Sequence, residues 1–497
     1  MMTLDELTQA VLTISPQLMD SREAAALVES CGVNDRIAAS DFGMPDTFAV
    51  GEYLFRYSRT ETVLAQVEPQ RASVLLREAR FAAHKFSLSF AYALPWTALL
   101  IIEYLKPKLL QLTPEWGGIL SLSLIASLIS AGGFSQVIAR TGFFYIGVKE
   151  PKLALRLCLI FAKWGCFVCC GLAIVGFMFA HYFRLFAPSY LLWGCLNFLT
   201  LVMLWMFCAM LSVQGRTWRI PLVFVVGGVV FAALHRSLGV VFPIFAANAT
   251  ALASAAGLSL WGFGSLSSTS PPGTLAPRLP RLPVLAYMLT PFFLYGLCYF
   301  AFLFADRVAA GSAIPWASGL SFGIDSQYKK GMDVALFIFL VLAAVVEYMV
   351  DKFVRYWFDL AEQREAGTTL LKHRYQRFLM YICILFSVLA SGLWFTYSRF
   401  EPEVLITAIL GSVGYFFVAL ALFNLIILFS INRAERALGM MAIALICNGL
   451  TGYVLSHLFG VEFAAVGLLV GGLVLFALSY RFIADVLREP DYFYALA

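Results

Sequence analysis

Apolar residues fall along this chain in runs of roughly 18 to 25, closed by charges or Pro/Gly clusters, the length a helix needs to cross about 30 Å of hydrocarbon. Twelve such spans are predicted. Six lie near 86–104, 117–138, 157–179, 190–213, 219–235 and 239–264, and six more near 284–305, 334–354, 376–396, 404–430, 435–457 and 460–484. Between the two sets, the polar, proline-rich stretch 265–283 cannot continue a helix and reads as a linker. Residues 1–80 break the pattern: they are polar, with short amphipathic stretches such as Leu4, Leu7, Val11 and Leu12, and later Val74, Leu75 and Ala79, that predict helices. The expected fold class is all-α. It is a polytopic membrane protein with twelve transmembrane helices in two six-helix lobes, 81–264 and 284–485, a small helical N-terminal extension over 1–80 and a short tail over 486–497.

Composition supports this pattern. Hydrophobic residues make up 61% and charged residues 13%, about half the charged share of soluble domains. A net charge of +5 is too small to imply a nucleic-acid partner. The placement of the charges says more. Residues 1–80 carry seven Arg, no Lys and twelve Asp or Glu, and lack the basic start and apolar core of a cleavable signal peptide. Even-numbered loops and the C-terminal end hold eighteen Lys and Arg, whereas odd-numbered loops hold eight. Because positive charge marks the cytoplasmic side, both termini are expected there. Nine of the ten cysteines lie in apolar spans, where a thiol behaves as a small hydrophobe. The cluster Cys166, Cys169 and Cys170 has a CxxC core but no second ligand pair, so no metal is expected.

No nucleotide-binding loop, GxSxG elbow, HExxH helix or paired CxxC site is present, which argues against an enzyme and against a bound cofactor. The informative residues are ionisable ones at depth, where burial of a charge costs about 2.5 to 3.5 kcal/mol even on lenient scales. Glu347, Asp351, Arg355 and Asp359 recur every fourth residue and form one helical stripe, with Asp351 placed to pair with Arg355. If the eighth span begins near Val334, Glu347 lies about 20 Å along it, facing protein or a water-filled cavity. Lys163, about 9 Å into the third span by helical rise, either snorkels outward or turns inward to meet Glu347 or an anionic substrate. Asp306 and Arg307 close the seventh span roughly 33 Å from Val284 and are expected near the outer surface, as an anchor or as part of a pathway. Gln136, Asn197, Asn248, Asn424, Asn448, Tyr287, Tyr295 and Tyr299 suit a sugar pathway, since aromatic faces stack on sugar rings and amides bond hydroxyls. Asn inside a membrane equally serves to join helices.

The six-plus-six arrangement, Phe304-Ala-Asp-Arg307 at the end of the seventh span, and Val346-Glu-Tyr-Met-Val-Asp-Lys-Phe-Val-Arg-Tyr-Trp-Phe-Asp359 running into Glu365-Ala-Gly-Thr-Thr-Leu-Leu371 resemble the multidrug/oligosaccharidyl-lipid/polysaccharide (MOP) exporter superfamily. Within it, the chain is most similar to the PelG-type polysaccharide transporters. The acidic extension is not part of that family's usual plan. The resemblance implies a bacterial inner-membrane transporter or flippase that exports a polysaccharide or lipid-linked saccharide by alternating access. A cytoplasmic glycosyltransferase and other export-complex subunits would be its partners, alongside the lipid bilayer. On this view Lys163, Glu347, Asp351, Arg355, Asp306, Arg307, Gln136, Asn197, Asn248, Tyr295, Tyr299 and Asn424 line a substrate or ion pathway. Alternative readings are a drug/cation antiporter of the same superfamily and a non-transporting scaffold for a polysaccharide synthase.

Overall fold

The computed structural model describes residues 4–14, 21–55, 80, 83, 112–268, 280–314, 325–362, 368–397 and 401–489. The expected first span, 86–104, and most of the expected linker lie outside these residues. The chain divides into two units, Met1–Ala83 and His84–Ala497.

In the first unit, α1 (Leu4–Ile14), α2 (Ser21–Ser30), α3 (Asp35–Asp41) and α4 (47–55) close on a small core of Leu7, Val11, Val28, Val33, Ala38, Val50 and Leu54. Asn34 caps α3, its side chain accepting from the Ile37 N–H at 3.0 Å. Asp35 ties α3 to the start of α4: its Oδ1 accepts from the Thr47 N–H at 2.9 Å and from the Thr47 hydroxyl at 3.0 Å. These two bonds, the backbone one first, stabilise the carboxylate and hold its pKa below the usual value. A depressed folded-state pKa contributes stability above the unfolded value of about 3.9, which is lost as pH falls through the folded value. In an NMR titration, Asp35 is expected to titrate below its ordinary value in the wild type. Thr47→Val removes the hydroxyl bond but keeps the N–H, and should move the midpoint part of the way back up.

The second unit is helical throughout its described residues. Its helices are α5 (Pro114–Gly147), α6 (Pro151–Tyr182), α7 (Pro188–Val213), α8 (Arg219–Leu238), α9 (Val241–Ser268), α10 (Leu282–Ser312), α11 (Ser326–Glu362), α12 (Thr368–Tyr397), α13 (Pro402–Ser430), α14 (Ala434–Phe459) and α15 (Ala464–Val486). Among the described residues these eleven are long and apolar enough to cross a membrane, and they correspond to the second through twelfth predicted spans. Most extend beyond the apolar run. Prolines open α5, α6, α7 and α13, where a missing N–H costs nothing and the fixed φ suits a first turn. Gly239, at φ 76°, ends α8 in a backbone region that residues with a Cβ avoid.

Packing repeats between the two halves. In the first lobe α5 packs on α7, α7 on α9, and α8 on α9; in the second, α11 packs on α13, α13 on α15, and α14 on α15. Each helix of the first set has its counterpart six spans later. A buried amide holds each lobe at an equivalent helix. Asn197 of α7 donates from Nδ2 to Ser123 Oγ at 2.7 Å, and its Oδ1 accepts from Asn248 Nδ2 at 2.9 Å, joining α7 to α5 and α9. Asn424 of α13 donates from Nδ2 to Ser479 Oγ at 3.1 Å, and its Oδ1 accepts from the Tyr375 hydroxyl at 2.7 Å, joining α13 to α15 and α12.

Candidate functional site

The two lobes meet where α5 crosses α10. Glycine makes the approach possible. A Cβ at Gly132 would lie 2.8 Å from the Gly296 carbonyl oxygen, and one at Gly133 would lie 2.8 Å from that of Phe293. Small residues allow this backbone proximity in membrane helices, where dispersion rather than the hydrophobic effect holds helices together. Aromatic rings fill the rest of the seam: Phe134 and Phe293 stack edge to face at 4.9 Å, and Ile125 of α5 joins the core of the second lobe.

Polar groups flank this crossing. Gln136 is exposed, with its Cγ beside Gly296. One turn further on α5, the Arg140 guanidinium carbon sits 5.1 Å from the centre of the Phe292 ring. On α10, Tyr295 and Tyr299 stack at 6.0 Å, and Tyr295 packs edge-on to Phe429 of α13 at 4.6 Å. Tyr299 in turn lies within electrostatic range of Glu347 on α11.

The helix carrying Glu347 is mostly interior to the second lobe. Val346, Met349 and Val350 around it are buried, whereas Glu347 is exposed. The helix starts at Ser326 rather than near Val334, so Glu347 stands about 32 Å along it and about 20 Å beyond the start of its apolar run. A carboxylate at that depth is costly against lipid, and its charge reaches Tyr299 on α10, the helix that meets the other lobe. One turn on, Asp351 and Arg355 form the expected ion pair at 3.1 Å. Gln136 and Tyr299 therefore provide an amide and a phenol along α5 and α10, the helices that meet at the seam, and Glu347 an exposed carboxylate within electrostatic range of that phenol.

Asp306 and Arg307 are not surface anchors. Asp306 is fully buried, and α10 runs on to Ser312. Its Oδ2 accepts from the Tyr328 hydroxyl at 2.8 Å, and the Arg307 guanidinium approaches at 3.4 Å. Arg307 Nη1 also donates to the Tyr415 hydroxyl at 3.0 Å and the Leu303 carbonyl at 3.2 Å, and the charge of Asp333 on α11 reaches it. The result is a buried polar knot joining α10, α11 and α13 within one lobe. Sequence reasoning missed Tyr328, Asp333 and Tyr415. A Tyr and an Asp in the polar turns before the apolar run of α11 were the available signal.

The remaining candidates stand elsewhere. Asn197, Asn248 and Asn424, expected along a sugar pathway, are occupied by the bonds inside the lobes described above, and Asn448 donates to the Phe302 carbonyl at 2.8 Å. Lys163 does not meet Glu347. It lies about 18 Å along α6 from Pro151, in an exposed stripe with Lys152, Arg156, Leu159, Phe167 and Ile174, while the opposite face of α6 packs on α5 and α7. This places Lys163 on the exposed face of α6, where a long side chain can reach along the stripe towards the basic end of the helix.

No protein-family model matches the chain, and no curated protein does. Solved structures do. The Vibrio cholerae MATE transporter VcmN, as a D35N mutant, aligns with a TM-score of 0.59 at 14% identity over 84% of this chain and 99% of that one. An outward-facing multidrug resistance MATE family transporter of the MOP superfamily aligns at 0.57, 12%, 82% and 97%. A MOP superfamily transporter from Pyrococcus furiosus, noted for a binding pocket of reversed polarity, aligns at 0.52, 13%, 83% and 96%. At these identities the likeness shows the fold: this chain has the two-lobed MATE-like architecture over nearly the full length of each.

Proposed function

We propose that this protein is a bacterial inner-membrane transporter that moves a polysaccharide or lipid-linked saccharide outward by rocking its two lobes about the α5–α10 seam. The observation that carries this reading is Glu347: an exposed carboxylate at membrane depth on an otherwise buried helix, its charge reaching Tyr299 on a helix of the seam. A charge kept in that position implies a hydrophilic space next to it, since lipid would penalise it. Tyr295, Tyr299 and Gln136 supply stacking faces and an uncharged hydrogen-bonding group, the chemistry that sugars engage. The two-lobed fold and the repeated packing of its halves fit alternating access around a shared axis. Asp351 and Arg355 continue the polar stripe towards the cytoplasmic end of α11, where a glycosyltransferase would deliver the saccharide.

The test is uptake of a radiolabelled lipid-linked oligosaccharide into inverted membrane vesicles, where outward export appears as inward movement. Glu347→Gln is expected to keep expression and folding yet lower the rate by about ten- to a hundred-fold, as befits loss of a charge-assisted contact of about 1.5–3 kcal/mol. Unchanged uptake by a stable Glu347→Gln protein would remove this residue from the pathway. An exposed carboxylate also suits an organic cation, the cargo of a drug/cation antiporter. Quenching of a fluorescent cation in the same vesicles, without saccharide uptake, would replace the saccharide reading with that one.

A further inference from the structure

A second feature of the first lobe lies away from the seam, where α7, α8 and α9 converge. Arg219, the first residue of α8, is 5% exposed, yet no carboxylate pairs with it among the described residues. Its guanidinium makes one long bond, from Nη1 to the Leu258 carbonyl at 3.4 Å. The neighbouring charge is another cation, Arg216. Two indoles hold the guanidinium by cation–π contact: Trp261 of α9 at 4.8 Å and Trp218 at 5.7 Å. Both are more than 60% exposed, as belongs to residues of an interfacial aromatic belt.

Two further buried polar atoms within five residues of Arg219, on Gln214 and Thr217, have no partner among the described residues. Gln214, 8% exposed, donates from Nε2 to the Ser259 carbonyl at 2.8 Å, but its Oε1 accepts nothing. The Thr217 hydroxyl is likewise buried and unpaired. Gly262 makes room for the Gln214 side chain, since any Cβ there would clash with it. An unpaired buried cation with a second one beside it is expensive. Two orphaned polar groups close to it in the chain add to that cost.

We propose that this pocket binds the phosphodiester headgroup of an anionic membrane phospholipid. The phosphate would neutralise Arg219 and Arg216, and its approach would let the buried Gln214 amide beside them turn its oxygen to a headgroup hydroxyl. Trp218 and Trp261 are exposed at one end of a membrane-length helix, where tryptophans of an interfacial belt sit, and basic sites between helices are the usual way lipid headgroups are held. This makes a bilayer lipid the source rather than a free anion.

The proposal is tested on the full-length protein in nanodiscs of phosphatidylcholine alone and of an equal mixture with phosphatidylglycerol, by thermal unfolding and by native mass spectrometry. The wild type should show a higher unfolding midpoint with phosphatidylglycerol and retain the lipid on release from the disc. Arg219→Gln should lose both effects. Arg236→Gln, at the opposite end of α8, should keep them. If Arg219→Gln fails to fold, Arg216→Gln, half-exposed and outside the packed interior, takes its place and should weaken retention. Equal midpoints in the two lipids for the wild type would overturn the site, as would retention unaffected by either arginine. Inorganic phosphate alone reproducing the stabilisation would overturn the assignment to lipid.

Discussion

Replacing Arg307 with Met is expected to destabilise the second lobe by about 3–5 kcal/mol, the cost of breaking a buried ion pair from one side. The substitution keeps most of the volume and removes the charge. It leaves Asp306, fully buried, without its cation, with Asp333 also buried nearby, and takes a donor from the Tyr415 hydroxyl. Asp306→Asn added to Arg307→Met should recover much of the loss, because the neutral amide still accepts from the Tyr328 hydroxyl and no longer needs a counter-charge. Thermal unfolding of the purified protein, followed by circular dichroism or by reaction of buried thiols, measures both. If the single and double variants fall together, the knot contributes packing rather than charge balance. A midpoint unchanged in Arg307→Met would mean that water reaches the pair.

Gly132→Leu should act on movement rather than on folding. The new side chain would press on the Gly296 backbone and the Phe300 ring, and a backbone carbonyl cannot turn aside as a side chain can. Overpacking of this kind costs about 1–3 kcal/mol. Placed at the junction of two lobes rather than within either, the penalty falls on the arrangement in which α5 and α10 are in contact. A bias of about 1–3 kcal/mol between two states corresponds to roughly 5- to 150-fold in their ratio, and transport should fall accordingly while the unfolding midpoint moves little. Gly296→Leu, on the opposite helix, should have the same effect. Gly171→Leu, on the open face of α6 where nothing lies within 4 Å, should leave transport intact. Normal transport by both seam variants would show that the lobes do not turn about this crossing.

Where the sequence reading was right, the property concerned runs along the chain. An apolar run is long enough to cross hydrocarbon or it is not, and eleven of the twelve predicted spans appear as helices, the other lying outside the described residues. The Asp351–Arg355 pair was legible for the same reason: four residues on one helix are neighbours whatever else the fold does. Glu347 could be singled out because a carboxylate inside an apolar run is costly wherever the helix goes. Asp306 was expected near the surface because its place was counted along the helix from Val284, a count that says nothing of what packs over it from other helices. The polar turns that open α11 bond to Asp306 and the middle of α13 bonds to its partner Arg307, and neither lies near them in the chain.

Length, apolar content and the spacing of charges by themselves determined that this protein crosses the membrane many times and carries a carboxylate at depth. Those are one-dimensional quantities, fixed by the energy of moving each segment out of water. The tertiary structure alone decided which side chains meet. It set Gly132 against Gly296, enclosed Asp306 with Arg307 and Tyr328, left Lys163 on the exposed face of α6 and used Asn197 and Asn424 to hold each lobe together. Such pairings depend on the rotation and crossing of helices far apart in the chain, which hydropathy does not encode, because every face of these helices is apolar enough to enter the bilayer.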